Sequence, residues 1–255
     1  NFVNHYCSTF GMSFIVVYVF NIARSSITPV LPISGLLPIK NGQLFIGNSI
    51  PNILQTLGID DELIIIDDCS SDETWKLIKS INDNRIRLIK NSGNGLVSAL
   101  NLGMQISQNE YIARFDIDDV YDKNRLAEQR TLLVNNTVAV FSDYQFFSNN
   151  QNNLGEVKSA VIDPLVSLSL ISANRTAHPS ALFSKEVAIS AGGYETSSFP
   201  AGDLALWLRM SRYGKIKSVP KPLLRYRLHS KSVSKLNSSL QIGVRDSILK
   251  TIGIN

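Results

Sequence analysis

The chain of 255 residues is predicted to be α/β, a mostly parallel central sheet flanked by helices. From Ile33 onward, short apolar runs alternate with segments of helical periodicity, the pattern of strand and crossover-helix units. Two of those runs, Leu63 to Ile66 and Tyr111 to Phe115, are followed at once by acids, Asp67-Asp68 and Asp116-Ile117-Asp118-Asp119. A hydrophobic content of 44% over this length suffices for one large domain, or one domain with a small appendage. Ligands of open α/β sheets sit beyond the carboxyl ends of the strands, so two acidic strand ends far apart in sequence can converge on one ligand.

Taken in order, Ile33 to Ile39 is the first strand, closed by the turn signal Asn41-Gly42 and followed by a helix from about Leu44 to Leu57. Leu63 to Asp67 is the second strand. Ser70 and Glu73 then have capping-box spacing, which starts a helix containing Trp75, Leu77 and Ile78. Arg85 to Lys90 is the third strand, Gly93 and Gly95 a loop, and Leu96, Leu100, Gly103 and Ile106 one face of a helix. Tyr111 to Phe115 closes a fourth unit, and Val138 to Phe147 is a further strand. The polar turn Asn149 to Asn153 marks a boundary between two halves, and Trp207, Leu208 and Leu204 have the helical spacing of core residues.

The net charge of +4 and a pI near 9.0 are mild. The basic residues gather late (Lys215, Lys217, Lys221, Arg225, Arg227, Lys231, Lys235) without interleaved aromatics, which disfavours a nucleic-acid partner and reads as a solvated face. Cys7 and Cys69 lack metal-ligand spacing and read as free thiols of a reducing compartment. The apolar segment Phe10 to Ala23 contains Ser13 and Asn21 and falls short of the roughly 20 residues a bilayer-spanning helix needs. It also lacks the basic lead and cleavage site of a secretory signal.

Several chemistries use Asp-x-Asp at a strand end. A calcium-binding helix-loop-helix is excluded, because counting from Asp116 places Val120, Tyr121 and Ala127 where a ligand, a glycine and a carboxylate are needed. Asp116-x-Asp118-x-Val120 resembles the nucleophile motif of haloacid dehalogenase-like phosphatases, with Asp116 attacking phosphorus. That motif normally follows the first strand, whereas three units precede it here, and Trp207 stands where a second acid would follow Asp203.

From about Ile33 to Ser234 the chain resembles the family 2 inverting glycosyltransferases of GT-A fold. The resemblance rests on motifs in shared order: Leu36-Leu37-Pro38-Ile39-Lys40-Asn41-Gly42, Ile65-Ile66-Asp67-Asp68-Cys69-Ser70-Ser71-Asp72, Asn101-Leu102-Gly103, Asp116-Ile117-Asp118-Asp119, Gly192-Gly193-Tyr194, Asp203-Leu204-Ala205-Leu206-Trp207-Leu208-Arg209 and Tyr226-Arg227-Leu228-His229. It implies a GT-A domain over residues 33–235, with a nucleotide-binding half at 33–148 and an acceptor and catalytic-base half at 154–235. Residues 1–32 are then an N-terminal extension and residues 236–255 a C-terminal helix or tail.

The roles it implies suit the residue types. Asp68 accepts a hydrogen bond from the nucleobase, and Pro38 and Asn41 frame that base. Asp116 and Asp118 bracket the ribose and a Mg2+ or Mn2+ ion, with Asp118 the direct metal ligand. A nucleoside diphosphate departs with concentrated negative charge, which a hard cation stabilises. Asp203 is the general base that takes the proton of an acceptor hydroxyl, and a single displacement inverts the anomeric centre. The position of Asp203 ahead of an apolar helix also suits a cap, which is compatible with catalysis. Asp119 supports the site or shapes a turn, Arg227 and His229 reach toward the diphosphate, and His178 reads as structural or as a further site residue.

The chain departs from the family pattern at Gly202, where another acid is usual, and at Lys40, where an aromatic is common. It also lacks the Gln-x-x-Arg-Trp run of processive synthases, which favours transfer of a single sugar. The expectation is a cytoplasmic, metal-dependent transferase moving one sugar from a UDP-linked nucleotide-sugar donor to a glycan or lipid-linked acceptor in polysaccharide or cell-envelope synthesis, with peripheral contact at the inner membrane face. The alternatives are the phosphatase built on Asp116 and a catalytically silent nucleotide-sugar binding module.

Overall fold

The computed structural model describes residues 31–148, 150, 152–159, 176–228, 243, 246, 247 and 250. The expectations for Cys7, for Phe10 to Ala23 and the rest of the extension ahead of Leu31, and for His229 lie outside the described residues. Of the tail, only residues 243, 246, 247 and 250 are described, all helical. Among the described residues no helix is long and apolar enough to cross a membrane.

The compact unit that begins at Pro32 is built on one mixed sheet. Its first strands are β1 (Ile33–Ile39), β2 (Glu62–Asp67), β3 (Ile86–Lys90) and β4 (Tyr111–Arg114), parallel to one another in the order β3-β2-β1-β4. Every residue of β1 and β2 is buried because both faces of these parallel strands are covered, and the polar Ser34 and Glu62 are paired, Ser34 Oγ donating to Glu62 Oε1 at 2.6 Å. Pro38 is tolerated inside β1 because the pairing with β4 ends at Leu36 opposite Arg114, so its missing N–H costs no ladder bond on that side.

The crossover helices are α1 (Gln43–Leu54), α2 (Thr74–Lys79) and α3 (Gly95–Ile106), each within a few residues of its expected span. Gly103 of α3 lies directly on β1, where an added methyl would overlap the Leu36 side chain, so the helix packs closer than any larger residue would allow. The expected capping box does not form. Glu73 is the N-cap of α2 without a side-chain bond, Asp72 Oδ1 accepts from the Thr74 N–H at 3.0 Å, and the Ser70 hydroxyl instead accepts from the Asn41 N–H at 2.9 Å. Tertiary demand for a clamp between strand ends outweighs the local pattern.

Beyond β4 the sheet becomes mixed. β5 (Val120–Tyr121) and α4 (Arg125–Arg130) precede the long β6 (Thr137–Phe147), which pairs antiparallel with β7 (Asn153–Val157), Phe147 facing Asn153. β8 (Leu182–Ser184) runs antiparallel between β4 and β6, and β9 (Lys215–Arg227) runs parallel to β6 and antiparallel to β5. These additions follow no strand-helix alternation, since β8 spans three residues and β9 carries Lys215, Lys217, Lys221, Arg225 and Arg227, while Lys231 and Lys235 lie outside the described residues.

Helices α5 (Lys185–Ser190) and α6 (Gly202–Met210) cover this second half. Trp207 of α6 is fully buried, packing edge-on against Phe141 and Phe183 at centroid distances of 5.3 and 5.2 Å. Its expected core role, with Leu204 and Leu208, is the observed one.

Candidate active site

The carboxyl ends of β1 and β2 are level, Ile39 facing Asp67, so the residues just beyond them share one rim. Asn41 adopts φ 52°, a left-handed conformation asparagine tolerates, and its Oδ1 accepts from the Ser71 N–H at 2.8 Å. Asp68 is buried and donates its N–H to the Ile39 carbonyl at 2.8 Å. Its Oδ1 accepts from Asn91 Nδ2 at 2.7 Å and the Gly95 N–H at 3.3 Å, and its Oδ2 lies 3.6 Å from the Lys40 ammonium. The carboxylate is thus fixed between three neighbouring strand ends. Asp67 Oδ1 accepts from the Ser70 N–H at 3.3 Å, a turn role only.

Next along the rim, β4 delivers the acidic segment. Asp116 Oδ1 accepts from Arg114 Nη2 at 2.6 Å, and its N–H donates to the Tyr121 hydroxyl at 2.6 Å. Tyr121 is itself held by Asn52 of α1 through two bonds, 2.8 and 2.9 Å long. Asp119 is buried, with Oδ1 accepting from the Arg227 N–H at 2.8 Å, while Arg227 Nε donates to the Asp118 carbonyl at 2.6 Å. Burial first, then the neighbouring Asp118 and Asp116, push the Asp119 carboxyl well above its ordinary range. Burial also raises Asp116, opposed by the Arg114 charge.

The second half contributes Asp203 in the first turn of α6. The N-cap of that helix is Ala201 without a side-chain bond, so Asp203 is a first-turn residue and not the cap. Burial raises its carboxyl to about 6, while the N–H groups of Leu204 and Asp203 and the charge of Arg114 pull it down and Asp116 pushes it up. Asp203 and Asp116 therefore lie within electrostatic reach of each other and of the Arg114 guanidinium.

His178 Nε2 lies 2.8 Å from the Tyr194 hydroxyl, its ring 5.9 Å from that of Trp207. Burial and the Arg114 charge hold the imidazole neutral, well below its usual range. Asn101 pins the backbone of Tyr194 from α3 with bonds of 2.8 and 3.0 Å. Gly193, at φ 65°, passes so close to Asn101 that an added Cβ would sit 2.9 Å from its Oδ1.

Among the described residues no three His, Cys, Asp or Glu side chains form a metal cage. The acidic loop fits a cation shared with a substrate instead, because Mg2+ is commonly held by one or two carboxylates and phosphate oxygens. Asp118 is half-buried on the rim, and beside it Asp119 Oδ2 is buried without a hydrogen-bond partner.

Several groups that shape this site escaped the sequence reading, Arg114, Tyr121, Arg125 and Asn91, while Asn101 stood in a motif without a role. Arg114 had a visible signal, a cation inside an apolar run directly before three acids. The others are recognisable only through their partners.

The family model described as "Glycosyl transferase family 2" matches residues 34–183. The UDP-Glc:alpha-D-GlcNAc-diphosphoundecaprenol beta-1,3-glucosyltransferase WfaP of Escherichia coli is 30% identical over 198 residues, 76% of this chain and 75% of that protein. The enzyme of the same description named WfgD, also from Escherichia coli, is 25% identical over 209 residues, 79% of each chain. Among solved structures, S. aureus TarS in complex with UDP-GlcNAc superposes with a TM-score of 0.68 at 15% identity, over 87% of this chain and 66% of that one. The mannosyltransferase PcManGT of Pyrobaculum calidifontis, solved with GDP-Man and Mn2+, gives 0.66 at 15% identity, over 94% of this chain and 72% of that one. These likenesses set aside the phosphatase built on Asp116. With the sheet, the acidic strand ends and the family match agreeing, the chain belongs to glycosyl transferase family 2 and is a glycosyltransferase of GT-A fold.

Proposed function

We propose that the chain moves a single sugar, with inversion, from a UDP-linked donor to a lipid-linked or glycan acceptor in cell-envelope polysaccharide synthesis. The observation that carries this reading is Asp203, a half-buried carboxylate in the first turn of α6 whose carboxyl burial raises to about 6. A base poised near the working pH combines the ionised form with useful proton affinity. Asp203 takes the proton of the acceptor hydroxyl as that oxygen attacks the anomeric carbon from the face opposite the departing diphosphate.

Asp68 receives the imide N–H of the uracil, held in place by Asn91, with Pro38 and Asn41 framing the base. Asp116 meets the ribose, and Asp118 would hold a Mg2+ or Mn2+ ion, with Asp119 next to it in the loop. The ion supplies charge stabilisation for the departing nucleoside diphosphate. Arg227 holds the acidic loop, with its charge beside the diphosphate; His229 follows two residues later in sequence as a candidate partner; His178 serves through Tyr194. The relatives named for transfer to diphosphoundecaprenol-linked sugar support a lipid-linked acceptor, and with it we propose a reaction at the cytoplasmic membrane face with the enzyme in peripheral contact.

The test is incubation with a panel of nucleotide sugars, Mn2+ and GlcNAc-diphosphoundecaprenol, reading nucleoside diphosphate release and product mass. Transfer from a UDP-sugar that Asp203→Asn abolishes supports the reading. Donor binding with no turnover, unchanged by Asp203→Asn, would show a silent binding module instead.

A further inference from the structure

Arg114 is only 2% exposed at the end of β4, in the interior of the sheet where its neighbours Ile112 and Ala113 are apolar. Removing a guanidinium from water is costly unless it is paired and hydrogen-bonded, and an aliphatic residue would complete the strand without that cost. The surroundings are nevertheless built around it. Nη2 donates to Asp116 Oδ1 at 2.6 Å, and Nη1 donates to the Phe115 carbonyl. The Arg114 N–H donates to the Ala181 carbonyl at 2.9 Å, and its own carbonyl accepts from Arg125 Nη1 at 3.0 Å. Arg125, fully buried, also donates to the Ala181 carbonyl at 3.0 Å and to Gln129 Oε1 at 3.1 Å. A second buried cation thus braces the backbone of the first across β4, β8 and α4.

Asp116, by contrast, keeps 32% of its side chain exposed. One oxygen is anchored on the buried cation while the group remains open at the strand end. We infer that Arg114 is a positioning residue of the transfer reaction, fixing Asp116 so that its outer oxygen meets the donor nucleotide. This rests on the donor site proposed above. Charge-assisted bonds from a planar guanidinium are directional, and lysine cannot reproduce them.

The experiment is a double-mutant cycle of Arg114→Lys and Asp116→Asn. The readouts are UDP affinity by calorimetry, donor KM and kcat on the active enzyme, and thermal melting as a check on folding. Arg114→Lys should weaken UDP binding and raise donor KM on the order of 10-fold, with kcat changed less. In the Asp116→Asn background it should add nothing, because the group it orients is already altered. Unchanged UDP affinity in Arg114→Lys, or an equal further loss on top of Asp116→Asn, overturns the inference. Should Arg114→Lys not fold, Arg114→Gln replaces it with the same readouts, and failure of both to fold assigns Arg114 a purely structural role. Wild-type protein that neither binds UDP nor turns over any donor would instead sink the proposed function, and this inference with it.

Discussion

The backbone N–H of Arg227 donates to Asp119 Oδ1 at 2.8 Å, joining the last residue of β9 to the loop after β4 across 108 positions of sequence. The Arg227 guanidinium lies over the Phe147 ring at 4.4 Å, with Arg225 over the same ring at 4.6 Å, so the clamp is packed as well as bonded. Consecutive acids repel one another, and without such a fastening the loop would spread them apart. The clamp converts a sequence motif into a fixed arrangement.

Asp119→Ala removes the acceptor of the half-buried Arg227 N–H, a loss of about 0.5–1.5 kcal/mol. Asp119→Asn keeps an oxygen in place and should cost less. Urea denaturation of the two variants measures the difference, and equal loss in both would show that the charge matters instead of the bond.

Asp203→Asn should lower kcat by roughly 10² to 10⁴. The wild-type rate should rise with pH through about 6, where Asp203 ionises, and then level off, and the variant should lack that rise. Stability moves the other way. A carboxyl raised in the folded state contributes fully below its unfolded value near 3.8, and that contribution is lost as pH climbs through about 6. Asp203→Asn should therefore melt above the wild type at pH 8 but not at pH 4.

Among the described residues Trp207 Nε1 is buried without a hydrogen-bond partner, and the ring serves the core through its packing on Phe141 and Phe183. Trp207→Phe should cost about 1 kcal/mol, and Trp207→Ala roughly 3–5 kcal/mol through the cavity left between Phe141 and Phe183. Chemical denaturation checks both.

UDP should raise the melting temperature more with Mn2+ than with EDTA, because a ligand that binds only the folded state stabilises it in proportion to its affinity. Asp118→Asn should shrink the Mn2+-dependent part of that shift. Asp68→Ala should shrink the whole shift, since its effect falls on the nucleobase.

Much of this was legible in the chain. Ile33–Ile39 was read with its observed bounds, and the second to fourth strands to within a residue at either end, since a parallel strand covered on both faces reads as a mostly apolar run. The acids at strand ends were legible because nothing in a core explains them. Ser70 was misread as half of a capping box, because the same hydroxyl serves a local helix start or a distant backbone, and only the fold decides between them. β8 and β9 were missed because a three-residue strand has no period and a ladder with basic outer residues resembles a solvated face.

The sequence by itself determined the strand-helix order through β4, the family and the positions of Asp68, Asp116, Asp118 and Asp203 along the chain, since these depend on local apolar patterning and motif order. The tertiary structure decided which charges are buried and what compensates them. Arg114 under Asp116, Arg125 braced on Gln129 and the fastening of Asp119 to Arg227 all arise from partners brought from elsewhere in the chain. A charge can be withdrawn from water only where such partners wait, and a linear pattern does not record where they will be.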